Sequence, residues 1–281
     1  MPRNDDPPRI PGYTLDRLLG GGSLSLVYAG TDTATGKPVA LKVFRQSAVR
    51  DPWAATFVRR EYRAGLAVKS PHLIRVLGGN VLVQPWFLVL ELLAGESARL
   101  RLTRGGVLPP PAVVAVGRQV ASALAALHRA GFAHADVKPE NVRLVSPGKA
   151  KLLDLGFAHK AGENQSMHDS GQILGTPNYV APEMCVNPPQ DGPRADVFAL
   201  GVTLFELLAG TLPYPVEEVD DVLRRRATAR PADLHRHGDF PPGVPEVVAK
   251  LMTRDPAKRP TAAQAAEELT ALQIRLMKKA G

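Results

Sequence analysis

The sequence predicts an α+β fold, with a small strand-rich N-terminal part followed by a larger, mainly helical one. Three observations carry that expectation. Strand-like segments alternate with glycine-rich turns through residues 13–43, and further apolar strand candidates follow at 73–77, 81–83 and 86–91. In 107–130, Val113, Val116, Val120, Leu124 and Leu127 recur at threes and fours, the period of a helix burying one face. Residues 261–277 form a closing helix whose Thr261-x-x-Gln264 start reads as a capping box.

The elements follow in order. Residues 1–12 hold four prolines and mixed charges without periodicity, and are expected to be a flexible tail. Tyr13-Thr-Leu-Asp-Arg-Leu-Leu leads into Gly20-Gly-Gly-Ser-Leu-Ser-Leu-Val27, a strand, a glycine turn and a strand. No helix follows the glycines, which sets this turn apart from the dinucleotide and Walker patterns. Val39-Ala40-Leu41-Lys42-Val43 alternates as a strand and carries a lysine inside an apolar run. Residues 57–68 are helical in character and stop before Ser70-Pro71. Gly65 within them costs up to about 1 kcal/mol against alanine and is expected to make that helix adjustable. Leu108-Pro-Pro-Pro starts the long helix and Gly131 ends it. Residues 142–145 and 149–153 read as two short strands around Ser-Pro-Gly.

Composition narrows the function. A chain of 281 residues fits one large domain or two lobes with a substantial core. Its single cysteine, Cys185, excludes an internal disulfide. Apolar stretches are interrupted by Gln84, Pro85, Glu91 or Arg118, so no membrane segment is expected and the predicted location is cytoplasmic. The net charge is +8, from 35 basic and 27 acidic residues. Its densest clusters, Arg59-Arg60 and Arg224-Arg225-Arg226, have no interleaved aromatics to stack bases, so no nucleic-acid partner is expected.

The chemistry is concentrated in 134–156. Asp136, Lys138 and Asn141 fall at i, i+2 and i+5, which suits a loop better than one helix face. Pro139 supports this by excluding Lys138 from helical backbone. The hairpin that follows would return Asp154 beside Asn141. A carboxylate and an amide oxygen converging on one point suit a hard cation such as Mg²⁺, leaving Asp136 nearby as a base or orienting group.

His134-x-Asp136-x-Lys138-Pro139-Glu140-Asn141 followed by Asp154-Leu155-Gly156 resembles the catalytic loop and metal-binding turn of the eukaryotic-type serine/threonine protein kinases. The resemblance runs through about residues 13–272 and implies a bilobal kinase fold. Its small antiparallel-sheet N-lobe with a helix would be 13–92, its helical C-lobe 94–273, and 274–281 a tail. It implies that Gly20, Gly21, Gly22 and Ser23 cover the phosphates of ATP, with Val27, Ala40 and Leu90 along the nucleotide. Lys42 would bind phosphate and pair with Glu61. Glu91 and Leu93 would supply hinge backbone, and Ser97 or Glu96 would approach the ribose. Asn141 and Asp154 would hold Mg²⁺, with Mn²⁺ as a substitute. Asp136 and Lys138 would be catalytic.

Further resemblances extend the picture. Gly175-Thr176-Pro177 and Ala181-Pro182-Glu183 look like the end of a peptide-binding activation segment, and Thr176 with Lys138 is the serine/threonine-type arrangement. Asp196 would brace the catalytic loop, Arg259 would pair with Glu183, and His134 and His128 would be structural. The implied partners are proteins offering serine or threonine hydroxyls, the chain itself included. Three departures stand out: Ser25 replaces a third glycine, Ala135 replaces the arginine that usually meets activation-segment phosphate, and Arg143 sits where an apolar residue underlies adenine. The alternatives are a nucleotide-binding pseudokinase or scaffold, and a small-molecule phosphotransferase of related fold. Ser166 and Ser170 are candidate phosphosites in a polar stretch, 157–174, expected to be flexible.

Overall fold

The computed structural model describes residues 8–170, 175–186, 189–214 and 230–280. Five antiparallel strands open it: β1 (Tyr13–Gly21), β2 (Ser25–Asp32), β3 (Pro38–Phe44), β4 (Val76–Asn80) and β5 (Phe87–Glu91). Their order in the sheet is β1-β2-β3-β5-β4. Helix α1 (Ala54–Ala67) joins β3 to β4 and packs against β4.

Strand alternation decides which side chains meet. In β3, Val39, Leu41 and Val43 point to one face and pack with Tyr28, Phe87 and Val89. Ala40 and Lys42 point to the other. Register places Val27 opposite Lys42, Leu90 opposite Ala40 and Leu88 opposite Lys42, so Val27, Ala40, Lys42, Leu88 and Leu90 share that second face. This is the face on which α1 lies, with Val58 and Ala64 buried in the same cluster as Ala40 and Leu90. A period of two along β3 therefore aims the lysine at α1.

The remainder is mainly helical. After β6 (Glu96–Ser97) come α2 (Ala98–Gly105) and α3 (Pro110–Arg129). Strands β7 (Val142–Ser146) and β8 (Lys149–Leu152) form the expected hairpin and, with β6, a sheet of order β6-β7-β8. Then follow α4 (Gln165–Asp169), α5 (Pro193–Ala209), α6 (Val244–Leu251) and α7 (Ala262–Ala280). Helix α3 packs on α5 and α7, and α5 is buried without interruption from Asp196 to Leu208. By length and composition α3 could cross a membrane, but its apolar window is 67% buried within the protein, as in a core helix.

Several expectations change. Ile10, placed in the tail by sequence, is buried against the outer face of the sheet. The stretch 81–83 is a turn, and β4 starts at Val76. The long helix starts at Pro110 rather than 107, and α2, unforeseen, precedes it. The closing helix runs to Ala280, through most of the stretch expected as a tail. Residues 157–170 are anchored by buried His159, Asn164 and Met167. Gly65 is a packing requirement: a β-carbon there would collide with the Val76 side chain, so its absence lets α1 close onto β4. The arginines at 224–226 lie outside the described residues.

Candidate active site

The loop at 134–141 is held from below by α5. Asp196, 1% exposed, accepts from the amides of His134 and Ala135 at 2.8 Å each, and bonds His128 Nε2 at 2.8 Å. These bonds fix Ala135 at φ +65°, a left-handed conformation that is costly for a residue with a β-carbon. Burial alone would raise the Asp196 carboxyl, but His128 and the bond from the His134 amide hold it below the usual carboxylate range. His134 is structural as expected. Its Nδ1 accepts from the Asp136 amide at 3.2 Å, so Nε2 carries the proton and donates to the Leu153 carbonyl at 2.9 Å.

Asp136 projects from this braced loop and is 6% exposed. Its Oδ2 accepts from Asn141 Nδ2 and Lys138 Nζ, both at 2.8 Å. Its Oδ1 accepts from the Thr176 hydroxyl at 2.8 Å, and Lys138 Nζ also donates to Thr176 Oγ1 at 2.6 Å. Thr176 gets this close because Gly175, at φ +100°, runs against the loop: a β-carbon there would stand 2.6 Å from the Ala135 carbonyl. The structure thus brings Asp136, Lys138, Asn141 and Thr176 into one cluster.

A second cluster forms across the inner face of the sheet. Lys42 Nζ donates to Glu61 Oε2 at 2.7 Å and to Asp154 Oδ1 at 3.0 Å. Burial opposes the lysine's charge, but Asp154 and Glu61 outweigh it and hold Lys42 protonated above its ordinary range. Burial lifts Glu61 to about 7 against the pull of Lys42. The Asp154 side chain keeps an open flank, 41% exposed, and Lys42 and the Gly156 amide draw its carboxyl down despite its partial enclosure. Asp154 sits at φ +58°. The two clusters join at Leu153, whose amide donates to the Asn141 carbonyl at 2.7 Å while its carbonyl accepts from His134.

The donor set suits a hard cation. The Asn141 amide nitrogen is committed to the carbonyl and carboxylate of Asp136, which leaves its oxygen outside those bonds. Asp154 uses Oδ1 for Lys42 and the Gly156 amide, leaving Oδ2 outside them. An amide oxygen and a carboxylate oxygen are ligands of the kind Mg²⁺ takes, with water and phosphate completing its shell. Among the described residues no group of three or more His, Cys, Asp or Glu could form a metal site by itself.

The remaining predicted residues lie around this centre. Gly20 and Gly21 end β1, and Gly22 donates to the Ser25 carbonyl across the tip that holds Ser23. Glu91 ends β5; its carboxylate accepts from the Arg75 amide and Lys151, so that side chain is already engaged. Ser97 caps α2, its hydroxyl accepting from the Leu100 amide at 3.1 Å. Arg143 turns its guanidinium to the hinge, donating to the carbonyls of Ala94 at 3.1 Å and Leu93 at 3.5 Å. Glu183 and Arg259 pair as expected, through two bonds of 2.5 and 2.9 Å.

Sequence reasoning missed three groups. Arg63 grips the Glu163 carboxylate with two bonds while Arg60 donates to its carbonyl, so α1 is tied to the segment following Asp154. His159, His168 and Asn164 gather on Asp191. Arg99 links Glu140, Tyr179 and Glu206. Each joins residues tens of positions apart, and the one local signal was Ser97 as a cap for the helix that bears Arg99.

A buried lysine paired with a helix glutamate and with Asp154, next to a loop that holds Asp136, Lys138 and Asn141 together, is the side-chain arrangement of the protein kinase fold. Comparison with known proteins agrees: the family model described as protein kinase domain matches residues 13–269. Serine/threonine-protein kinase PknL of Mycobacterium tuberculosis is 38% identical over 251 residues, 88% of this chain and 62% of that protein. PkaB of Streptomyces coelicolor is 37% identical over 273 residues, 92% of this chain and 61% of that protein. PknD of M. tuberculosis is 33% identical over 250 residues, 88% of this chain and 37% of that protein. The chain belongs to the protein kinase domain family, and it spans less than two thirds of the length of each of these bacterial relatives.

Proposed function

We propose that this chain transfers the γ-phosphoryl group of ATP to serine and threonine hydroxyls of proteins, its own included, in a Mg²⁺-dependent reaction. The observation that supports this most directly is the Asp136 carboxylate, gripped by Asn141, Lys138 and Thr176 beside the Lys42–Glu61–Asp154 cluster. Asp136 orients the acceptor hydroxyl and takes its proton as oxygen bonds to phosphorus and the β–γ bridging bond breaks. Lys42, held charged by two carboxylates, neutralises phosphate oxygens further along the nucleotide. Lys138 sits against Asp136 and can follow charge onto the transferred group. Asn141 and Asp154 would hold the divalent ion, which supplies neutralisation of the phosphates. The glycine turn at Gly20–Ser23 would lie over the phosphates and add backbone donors beyond the Gly22 amide, which is already bonded to the Ser25 carbonyl.

The test is transfer from γ-labelled ATP with Mg²⁺ to the chain itself and to a panel of proteins, sugars and aminoglycosides. Wild type should label proteins, while Asp136→Asn and Asp154→Ala should lose most of that transfer. Nucleotide binding without labelling would favour the pseudokinase reading, which rests on Ser25, Ala135 and Arg143. Labelling of sugars in place of proteins would overturn the choice of acceptor.

A further inference from the structure

Arg99 stands on the first turn of α2 and bonds groups from three other segments. Its Nε donates to Glu140 Oε1 at 2.7 Å and its Nη1 to Glu206 Oε1 at 2.7 Å. Its Nη2 donates to the Tyr179 hydroxyl at 2.7 Å and to Glu206 Oε2 at 3.1 Å. Tyr179 in turn donates to Glu206. The Glu206 side chain is 7% exposed and that of Glu140 44%, so the cluster runs from the interior out to solvent.

Two short spans fasten this cluster to the acceptor site. Glu140 lies two residues beyond Lys138, and Tyr179 three beyond Thr176. Lys138 and Thr176 are the residues that contact Asp136 from those same turns. Glu140 and Tyr179 therefore flank the turns that face a hydroxyl at Asp136, with Glu206 bonded to Tyr179 behind them.

Without Arg99, that place would hold two carboxylates, one of them buried, with a tyrosine hydroxyl as partner. Such an arrangement demands a cation with a forked donor face, and a guanidinium matches it in shape as well as charge. Burial opposes the charge on Arg99, yet Glu206 and Glu140 hold it firmly protonated.

We propose that Arg99 fills, from within the chain, an anionic notch where a basic residue of a protein acceptor would otherwise dock. The enzyme then takes serine or threonine hydroxyls without selecting for arginine or lysine beside them. This rests on the protein-phosphorylating reading above. Arg99 acts here as a specificity-determining residue: it touches no reacting atom and decides what charge a neighbouring substrate residue meets.

The experiment uses acceptor peptides that carry a single arginine walked through the positions flanking the serine, each beside its alanine counterpart. Binding is read by fluorescence anisotropy for wild type, Arg99→Ala and Arg99→Gln, and kcat and KM are measured for the same peptides. Wild type should bind each arginine peptide and its counterpart within about twofold. With Arg99 removed, at least one arginine position should bind roughly 10- to 100-fold tighter than its alanine counterpart, the span expected of charge-assisted hydrogen bonds. The gain should appear in KM and be competed away by free guanidinium ion. Equal binding of arginine and alanine peptides by the folded variants would overturn the proposal, as would a tenfold arginine preference in wild type. Two variants that melt without a folded state would overturn it as well, leaving Arg99 a purely structural link. The binding arm needs no phosphoryl transfer, so failure of the catalytic reading would appear in the labelled-ATP assay alone.

Discussion

Replacing Asp196 should loosen the catalytic loop by a predictable amount. Its carboxylate accepts three bonds of 2.8 Å in a site 1% exposed to solvent. In Asp196→Asn the amide nitrogen must face at least one N–H. At minimum the Ala135 amide is left without an acceptor, which costs about 1–3 kcal/mol for a buried donor. The other two bonds fall from charge-assisted to neutral strength, adding roughly 1 kcal/mol. The total, about 2–4 kcal/mol, corresponds to a fall in Tm of roughly 4–10 °C for a domain of this size. Asp196→Ala strands both amides and His128 and should cost more. Because Ala135 holds φ +65° only under this restraint, its relaxation should displace Asp136, and a shift near 1 Å costs on the order of 100-fold in rate. The assays are thermal melting and the labelled-ATP turnover number. The pH dependence supplies a separate check. The Asp196 carboxyl is held below its unfolded value, so its stabilisation is complete above about pH 4. It is lost as pH falls through the folded pKa, so wild type and Asp196→Asn should converge in acid. An Asp196→Ala protein melting within 2 °C of wild type, with undiminished turnover, would refute the bracing argument.

Three further outcomes follow from the same physics. Gly65→Ala should lower stability by about 1–3 kcal/mol despite alanine's better helix propensity, because its β-carbon meets Val76; a melt showing stabilisation would contradict this. In a double-mutant cycle, Glu183→Gln and Arg259→Met should each be costly, with the Arg259 change the larger at about 3–5 kcal/mol. Arg259 also donates to the carbonyls of Thr253, Arg194 and Arg254, so strictly additive losses would count against the pair. Burial lowers the His159 imidazole, but Asp191 outweighs it and holds the pKa above the ordinary value, with His168 and Asn164 facing the same carboxylate. The His159–Asp191 pair should therefore stabilise fully below about pH 6.5 and fade as pH rises through the folded value. The difference in Tm between wild type and His159→Gln should shrink from pH 6 to pH 9, and a constant difference would argue against the pairing.

Much of the candidate site was legible as a pattern because its members lie on local stretches of sequence. The loop 134–141 and the turn at 154–156 are each continuous, and the intervening hairpin was readable from its turn residues. Lys42 could be assigned to a face because strand alternation in 39–43 is strict. Gly65 was misread because propensity speaks for an isolated helix, while the deciding contact is with Val76 on another element. Helix α2 was passed over because it is short and arginine-rich, with Ala98 and Leu102 buried in place of a long apolar stripe. Arg99, Glu163 and Asp191 were invisible for a related reason: each matters through partners that only the tertiary fold brings near. Ile10 shows the same override at the N-terminus, where a proline-rich composition masked a side chain that the outer face of the sheet covers.

The grip of Arg63 and Arg60 on Glu163 has a mechanical corollary. Helix α1 presents Glu61 to Lys42 on one side and holds the strand of chain after Asp154 on the other, so the two travel as a coupled linkage. Swinging the helix outward must tear a two-pronged ion pair at the same moment that it strips Lys42 of its glutamate. Slack in the segment around Glu163 is thereby geared directly to whether Lys42 keeps its glutamate.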